Sequence, residues 1–525
     1  MKTIRFASLL FTLVLIVTAS SCKRPRSAFV MATSESIVTL DPMGGANVDL
    51  GSERMRQLMF NSLIRKNERF EYVGELASNI VTAPDGLSVT FTLHDGVLFH
   101  DGRPFTSADA KYTMDTLLAS NIAKASSFFE GKGAERQSYI AGVDAPDPRT
   151  LIIRLRKPWL QLVVNLVPIG IIPTGSAATQ KDHPVGTGPY AFVAYNPGQQ
   201  TLDLKAHEKY WEGAPKIPTL RVVSIKDASS LQAEILAGRV DCAPNVTNLT
   251  PDSFKNLGQN ANLKVDQFPG ANIVYVGFNT KVAPLNDVKF RQAVAYAIDR
   301  ERIIRDLLLG QGKIAHSILP AESWAYTPGQ VYTFDPGKAK QLLDELGMKD
   351  PDGDGPQMRM TKPVIFKMSG GSAATRQYGA IIQDYLKQVG IPVEIETLEA
   401  NTLTDQHVKG EYQMITRMSV GGNQDPIFLR DLFATSGIPA PGGTGFNRSR
   451  YSNPELDPLL DAAATSADTA KAKELYAKAQ DIISRDLPMF TLWYPSIMII
   501  TRKNVGGVAM KADGDWSFAR NLTVQ

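Results

Sequence analysis

Apolar and polar residues alternate in several short segments of the chain, the pattern of strands with one buried face. From Leu87 to Leu93 every second residue is apolar, with serine and threonine between. This period of two predicts a half-buried strand. Further strands are predicted over residues 273–278, 364–367, 392–396 and 490–500.

The segments between these strands carry apolar residues at helical spacing, bounded by residues that cap helices. Thr106 and Asp109 form a capping-box pattern before a helix predicted to run to about Leu118. Other helices are predicted to begin at Asp287, at Asp335-Pro336 and at Asn453-Pro454, and a last one to end before Pro488. Alternating strands and helices favour layered α/β lobes. About 500 mature residues allow two or three such lobes.

The N-terminus has the composition of a secretory signal. Two basic residues precede an apolar run from Ala7 to Ala19, which is shorter than a membrane span. The small residues before Cys22 resemble a bacterial lipoprotein processing site, so residues 1–21 are predicted to be a signal peptide and Cys22 to be lipidated. Lipid chains would tether the mature protein without a spanning helix. The alternative is an ordinary signal peptide followed by an incidental cysteine.

The charge balance argues against a nucleic-acid-binding protein, and the cysteine content argues against a fold held by disulfides. The chain has 56 Lys and Arg against 53 Asp and Glu, a near balance that gives no electrostatic footprint for nucleic acid. If Cys22 is lipidated, Cys242 has no intrachain partner, and we interpret it as a buried, inert thiol. The fold must therefore be held by its apolar core.

The sequence contains no complete match to the common enzyme and metal-site motifs considered next. The six histidines form no H-E-x-x-H pair, and the sequence has neither a G-x-S-x-G elbow nor a phosphate-binding loop. No catalytic residue, resident metal or cofactor is predicted. Residues 350–355 match the first positions of a calcium loop, but Thr361 stands where the bidentate glutamate belongs. We interpret the segment as a solvated turn, with calcium binding as the alternative.

Five short motifs follow one another in a fixed order. In chain order they are Asp101–Asp109 (DGRPFTSAD), Pro184–Tyr190 (PVGTGPY), Tyr210–Gly213 (YWEG), Phe290–Ala293 (FRQA) and Ala297–Arg300 (AIDR). Together they resemble the family 5 solute-binding proteins of ABC importers, which deliver peptides, nickel chelates and related solutes. The likeness runs from about Val30 to Gly507.

This resemblance implies an α/β, two-lobed periplasmic-binding-protein-like fold with an extra subdomain inserted in the first lobe. The implied boundaries are 28–268 plus 497–525 for the first lobe, about 60–168 for its inserted subdomain, and 279–489 for the second lobe. Hinge strands at about 272–278 and 490–495 would join the lobes. Closure of the lobes around a ligand would then be the functional motion.

The resemblance also implies three places of ligand contact. The predicted contact residues are Ser34, Glu35, Ser36, Asp425, Trp493 and Tyr494. Ser34, Glu35 and Ser36 lie near the end of the opening strand. The alternative is that they only form a surface turn. The two aromatic residues would form a wall for a ligand side chain, unless Trp493 lies in the core. The Asp425 carboxylate would pair with a ligand ammonium group. The alternative is that Asp425 caps a helix.

The function implied is capture of a short peptide or similar solute by a lipid-anchored, monomeric binding protein outside a bacterial membrane. The closed complex would dock on an ABC permease, and separate ATPase subunits would hydrolyse ATP. One alternative is a ligand-sensing or chaperone-like lipoprotein on the same fold. Another is a secreted hydrolase, although the sequence offers no catalytic set. The cargo stays open among peptides, nickel chelates, haem, sugars and antibiotics.

Overall fold

The structure, a computed structural model, describes residues 28–45, 49–131, 136–159, 161–353, 355–419, 425–440, 443, 445–466 and 468–525. Cys22 and the predicted signal peptide therefore lie outside the described residues. No helix in this part of the chain combines the length and the apolar composition that a membrane span requires. Strands and helices are numbered below in chain order.

A seven-stranded sheet is assembled from both ends of the chain, in the order β10-β11-β12-β1-β13-β21-β14. Its strands are β1 (Phe29–Thr33), β10 (Tyr190–Asn196), β11 (Thr201–Ala206), β12 (Thr219–Ser224), β13 (Cys242–Pro244), β14 (Leu263–Phe268) and β21 (Ile497–Arg502). The opening strand β1 is parallel to both of its neighbours, and the other pairs are antiparallel.

A four-stranded antiparallel sheet, in the order β4-β5-β9-β8, forms between β1 and β10. Its strands are β4 (Ala77–Thr82), β5 (Ser88–Leu93), β8 (Ile140–Asp147) and β9 (Thr150–Leu155). The alternation predicted to give a half-buried strand is confirmed, because Val89, Phe91 and Leu93 are buried on one face of β5. Short pairs are formed by β2 (Ile64–Lys66) with β3 (Tyr72–Gly74), β6 (Phe129–Glu130) with β7 (Gln137–Ser138), and β22 (Val505–Gly506) with β23 (Thr523–Val524).

A six-stranded sheet, in the order β16-β20-β15-β19-β17-β18, organises the second half of the chain. Its strands are β15 (Ile273–Phe278), β16 (Gly312–Ile314), β17 (Val364–Ser369), β18 (Val393–Leu398), β19 (Met414–Ser419) and β20 (Met489–Pro495). The strand predicted over 490–500 divides at Ser496, so that its two parts belong to different sheets. We call the part built on the seven- and four-stranded sheets the first lobe, and the part built on the six-stranded sheet the second lobe.

Helices cover the faces of these sheets. They are α1 (Leu50–Met59), α2 (Ser107–Leu118), α3 (Ala123–Ser126), α4 (Gln161–Leu166), α5 (Ala228–Leu236), α6 (Pro251–Gly258), α7 (Val288–Ala297), α8 (Arg300–Arg302), α9 (Pro336–Glu345), α10 (Ala373–Gln388), α11 (Ala400–Lys409), α12 (Phe428–Phe433), α13 (Leu456–Thr465) and α14 (Thr469–Asp486). The caps predicted at Asp287 and Asp335 are confirmed, since each side chain accepts a backbone N–H of its own first turn. Helix α13 begins at Leu456, later than predicted, because the side chain of Asn453 forms a turn with Glu455 N first.

Each lobe has its own apolar core. In the first lobe one continuous core joins the four-stranded sheet to the seven-stranded sheet, with Phe91, Tyr190 and Trp516 among its largest buried side chains. The six-stranded sheet is packed on both faces, by α7, α9 and α10 on one side and by α12, α13 and α14 on the other. Burial raises the pKa of the Cys242 thiol, as expected of an inert side chain.

The family-like motifs hold the backbone of these lobes. Arg291 of FRQA donates to the carbonyl oxygens of Leu285, Asp486 and Leu487. Arg300 of AIDR donates to the carbonyls of three further loops and strands and lies 4.7 Å from the ring centroid of Phe490. Asp109 of DGRPFTSAD accepts from Thr106 N and Thr174 N. Such side chains satisfy buried backbone groups that would otherwise destabilise the fold.

Lys124 joins three segments of the first lobe through one buried ammonium group. It donates to the carbonyl oxygens of Pro42 at 2.8 Å and Pro168 at 2.9 Å, and it pairs with Glu53 at 2.5 Å. Burial is the main cause that lowers its pKa to about 8, opposed by the Glu53 carboxylate. Charged groups in such a site stabilise only while all their partners are present.

We therefore expect Lys124→Met to lower the free energy of unfolding by about 3–5 kcal/mol, because Glu53 loses a buried partner and two carbonyls lose a donor. Urea denaturation followed by circular dichroism would measure it. Lys111→Met is the matched control, since Lys111 forms an exposed pair with Asp115 and should cost about 0–1 kcal/mol. Equal losses in the two variants would contradict the role of Lys124.

Candidate ligand-binding cleft

The chain passes between the lobes twice, and the two crossings lie side by side. One crossing runs from Phe268 to Ile273 and the other from Pro495 to Ile497. A Cβ atom on Gly270 would overlap the carbonyl oxygen of Pro495, so only glycine fits there. The lobes are therefore linked at residues 269–272 and at Ser496, next to the predicted hinge strands. The hinge and the lobe boundaries stay predictions.

The β2–β3 hairpin of the first lobe contacts the second lobe close to the crossings, since Lys511 donates to Lys66 O and the adjacent Ala512 O accepts from Ala271 N. Trp324 N, in the second lobe, donates to Arg69 O at the hairpin turn at 3.2 Å. Lys66 and Tyr72, on the two strands, lie within the electrostatic reach of Asp425. Burial lowers the pKa of Lys66, and the carboxylates of Asp425 and Asp513 oppose that shift. The lobes thus also meet at the hairpin, and the cavity described below, which Lys66 lines, is the candidate cleft.

The Asp425 side chain is buried, with 7% of it exposed, and its carboxylate is hydrogen-bonded within its own loop. Its Oδ1 accepts a hydrogen bond from Ile427 N at 2.8 Å, just before α12. This contact closes a turn before α12, whose N-cap residue is Ile427, and the helix-cap alternative stays a prediction. The glycines predicted to precede it lie at 421–422, outside the described residues. The charge of Asp425 acts on Lys66 of the first lobe. Pairing of Asp425 with a ligand ammonium group stays a prediction.

The three residues after the opening strand are partly buried and have internal partners. Ser34 Oγ lies 3.4 Å from Thr247 Oγ1, and Glu35 pairs with the buried Arg54 at 2.7 Å. Burial raises the pKa of Glu35, while the Arg54 charge acts in the opposite direction. The backbone of Ser36 packs so closely on Gly51 that a side chain there would overlap its carbonyl. Ligand contact by these residues stays a prediction, and Val38, 69% exposed, is the apolar side chain beside them.

Trp493 and Tyr494 are buried in the second lobe, on opposite faces of β20. Trp493, 2% exposed, packs edge-on against Tyr378 with the ring centroids 5.1 Å apart. The Tyr494 hydroxyl donates to the carbonyl oxygens of Ser317 and Leu319, and burial raises its pKa. The core position considered for Trp493 is thus what the structure shows. An aromatic wall for a ligand stays a prediction.

A cavity of about 430 Å³ opens beside α1, and Phe428 of the second lobe is part of its lining. Its charged lining includes Glu53, Arg56, Lys66, Glu75, Asp513 and Arg520. Part of the lining is a network built by two of the family-like motifs. Glu212 of YWEG accepts from Arg65, Tyr210 and Arg520. Asn61 accepts from Thr187 of PVGTGPY and from Trp211.

The hairpin residues Lys66 and Tyr72 were not predicted from the sequence. They lie in a segment without a recognisable motif, and only the folded chain brings them to Asp425. The described residues contain no group of three or more His, Cys, Asp or Glu side chains placed to hold a metal ion. In the loop that resembles a calcium site, Asp350 Oδ1 accepts from two backbone N–H groups of its own turn, and residue 354 lies outside the described residues.

The chain belongs to the bacterial extracellular solute-binding proteins, family 5, whose model for the middle region matches residues 71–440. It is 26% identical over 482 residues to the oligopeptide-binding protein AppA of Bacillus subtilis, covering 88% of this chain and 85% of AppA. It is 27% identical over 491 residues to the dipeptide-binding protein of Escherichia coli, covering 89% of each. The predicted family is thereby confirmed.

The fold is shared with solved structures of low sequence identity. The ABC transporter substrate-binding protein CtaP of Listeria monocytogenes superposes with a TM-score of 0.80 at 21% identity, covering 94% of this chain and 99% of CtaP. The predicted two-lobed α/β architecture is therefore confirmed.

The close approach at the crossings generates a prediction. Gly270→Ala is expected to lower the free energy of unfolding by about 1–3 kcal/mol, because the new methyl group must displace the Pro495 carbonyl. Gly142→Ala is the control, since a Cβ there meets no atom within 4 Å. Thermal unfolding of both variants would measure the difference. A Gly270→Ala variant as stable as the Gly142→Ala variant would show that the crossings are not packed as described.

Proposed function

We propose that this protein is the substrate-binding component of an ABC import system, which captures a short peptide or a related small solute between its lobes and presents it to a membrane permease. The observation that carries the proposal is the cavity lined by residues of both lobes, beside the strand crossings and the β2–β3 hairpin. The relatives named for oligopeptide and dipeptide binding support a peptide ligand.

The proposed mechanism depends on the difference between the covalent and the non-covalent links that join the two lobes. The crossings at 269–272 and Ser496 persist in every state, whereas the contact of Arg69 with Trp324 can separate. A ligand shifts such an equilibrium only through contacts that it makes better in the closed state. In this proposal it bridges the end of β1, near Ser34, to the α12 region, near Asp425. The permease would recognise the closed form, and ATP would be hydrolysed by separate subunits.

Binding of peptides is the direct test. Purified protein, saturated with random libraries of di- to hexapeptides, is expected to gain about 2.7 kcal/mol of stability when the free ligand is 100-fold above its Kd. Native mass spectrometry would identify the retained peptides and show whether they stay intact. Absence of both stabilisation and retained peptide would reject a peptide ligand. Recovery of cleaved peptides would favour the hydrolase alternative.

Membrane attachment is a separate part of the proposal. Cys22 is proposed to be the lipidated N-terminus, on the small residues that precede it. Cys22→Ala should move the protein from the membrane fraction of cells to the soluble fraction, because two or more acyl chains are needed for a stable anchor.

Cys242→Ala is the matched control for this experiment. The Cys242 side chain is fully buried in the first lobe, so its removal should leave membrane attachment unchanged. Cell fractionation would measure the membrane attachment of both variants, and mass spectrometry would identify the mature N-terminus and its modification. Full membrane attachment of the Cys22→Ala protein would contradict lipid anchoring.

A further inference from the structure

A groove of about 940 Å³ runs between the two lobes at one edge of both large sheets. Its first-lobe wall comes from α6, β14 and β21, and its second-lobe wall comes from residues between 301 and 314. The strands that border it, β14 and β16, are each the outermost strand of their sheet. In the six-stranded sheet, β20 and β15 lead into the crossings and lie between β16 and β19. The groove therefore lies on the side of the crossings away from β19, the strand that precedes Asp425 in the chain.

Two glutamine side chains bridge the lobes at this groove. Gln267, on β14, donates through Nε2 to Gly310 O of the second lobe at 2.8 Å and to Ser496 Oγ at 2.9 Å. Gln311, just before β16, donates through Nε2 to Pro251 O of α6 at 3.0 Å. The carbonyl oxygen of Gln311 also accepts from Ser496 N at 3.3 Å. Each glutamine thus reaches the opposite lobe, and both meet the crossing at Ser496. We call Gln267 and Gln311 the glutamine clip.

The second-lobe loop that makes these contacts has an unusual backbone. It follows residues 303–307, which form a turn of π-helix. Leu309 then has a φ of +51° and Gly310 a φ of +79°. A left-handed leucine is uncommon because its Cβ crowds the backbone. The loop therefore holds a strained conformation at the point where it presents Gly310 O and Gln311 to the first lobe, and such strain persists where surrounding contacts fix it.

The clip differs from the other links between the lobes. The crossings are covalent, and the hairpin contact of Trp324 with Arg69 joins backbone atoms. The clip consists of side-chain amides, and Gln267 is exposed while Gln311 is half-buried. Their hydrogen bonds to the opposite lobe can therefore break and form again without disturbing the apolar core of either lobe.

We propose that the glutamine clip holds the lobes in the arrangement in which the β2–β3 hairpin also touches the second lobe, so that Gln267 and Gln311 are positioning residues for ligand capture. The inference rests on the function proposed above. Clip and hairpin contact are made in the same arrangement, so each stabilises the form that the other requires. In the proposed closure the ligand binds this form best, and the apparent affinity falls when the population of that form falls.

The position of the lobes is the first measurement. Spin labels on Lys255→Cys and Arg305→Cys would stand on the two walls of the groove, where both native side chains are exposed. The double variant Gln267→Met and Gln311→Met keeps the side-chain length and removes both donors. Without ligand, its ratio of the arrangement described here to more open ones should be about 10-fold lower than in the parent protein. Pulsed electron paramagnetic resonance would measure this ratio, and an unchanged distance distribution would overturn the inference.

Affinity for a random tripeptide library, measured by native mass spectrometry, is the second measurement. We expect Gln267→Met and Gln311→Met each to bind the library about 3-fold more weakly, and the double variant about 10-fold more weakly. Gln311→Lys keeps an N–H donor of similar reach and should lose less than Gln311→Met. Gln259→Met is the matched control, because Gln259 is an exposed glutamine of the same groove, and it should bind as the wild type does.

The outcomes distinguish this inference from the proposed function. Wild-type affinity in the double variant would overturn the role of the clip while leaving peptide capture intact. An equal loss in Gln259→Met, or a fall in melting temperature that accounts for the loss, would likewise overturn it, since either pattern reports a general effect on the fold. Binding of no library by a folded wild-type protein would reject the peptide function itself, and the spin-label distances would still test the clip.

Discussion

Everything that the two lobes can do depends on how the chain crosses between them. The crossings at residues 269–272 and at Ser496 are packed against each other so closely that Gly270 leaves no room for a side chain beside Pro495. Ala271 N also donates to Ala512 O at 2.8 Å, which fastens the first crossing to the C-terminal segment. The crossings are therefore the fixed link between the lobes, and in the proposed closure the lobes move about them.

Buried cationic side chains hold the backbone of each lobe together. Lys124, Arg291 and Arg300 place their charges on backbone carbonyls and hold segments of one lobe together. They include the positions that the family-like motifs single out. Motif residues such as Arg291 and Arg300 thus explain how the chain folds, whereas Lys66 and Tyr72, which the fold brings to the other lobe, lie outside the motifs.

Local signals in the sequence were enough to predict much of the fold. Caps at Asp287 and Asp335 and the alternation through β5 act over a few residues, and the structure confirms them. The position of Trp493 could not be settled in this way. Both faces of the six-stranded sheet are covered by helices, so strand alternation cannot separate a core face from a ligand face. Lys66 and Tyr72 of the β2–β3 hairpin meet Asp425 of the other lobe, which no local pattern in the sequence connects.

The lobes are proposed to separate at the hairpin and to close on a ligand about fixed crossings. The distance between spin labels at Glu68, beside the hairpin turn, and Ala321, near Trp324, tests it most directly, since both side chains are exposed and Cys242 is buried. Pulsed electron paramagnetic resonance should give one short distance with saturating ligand and a longer, broader distribution without it. The same distribution in both conditions, with binding proven in the same sample, would contradict lobe closure.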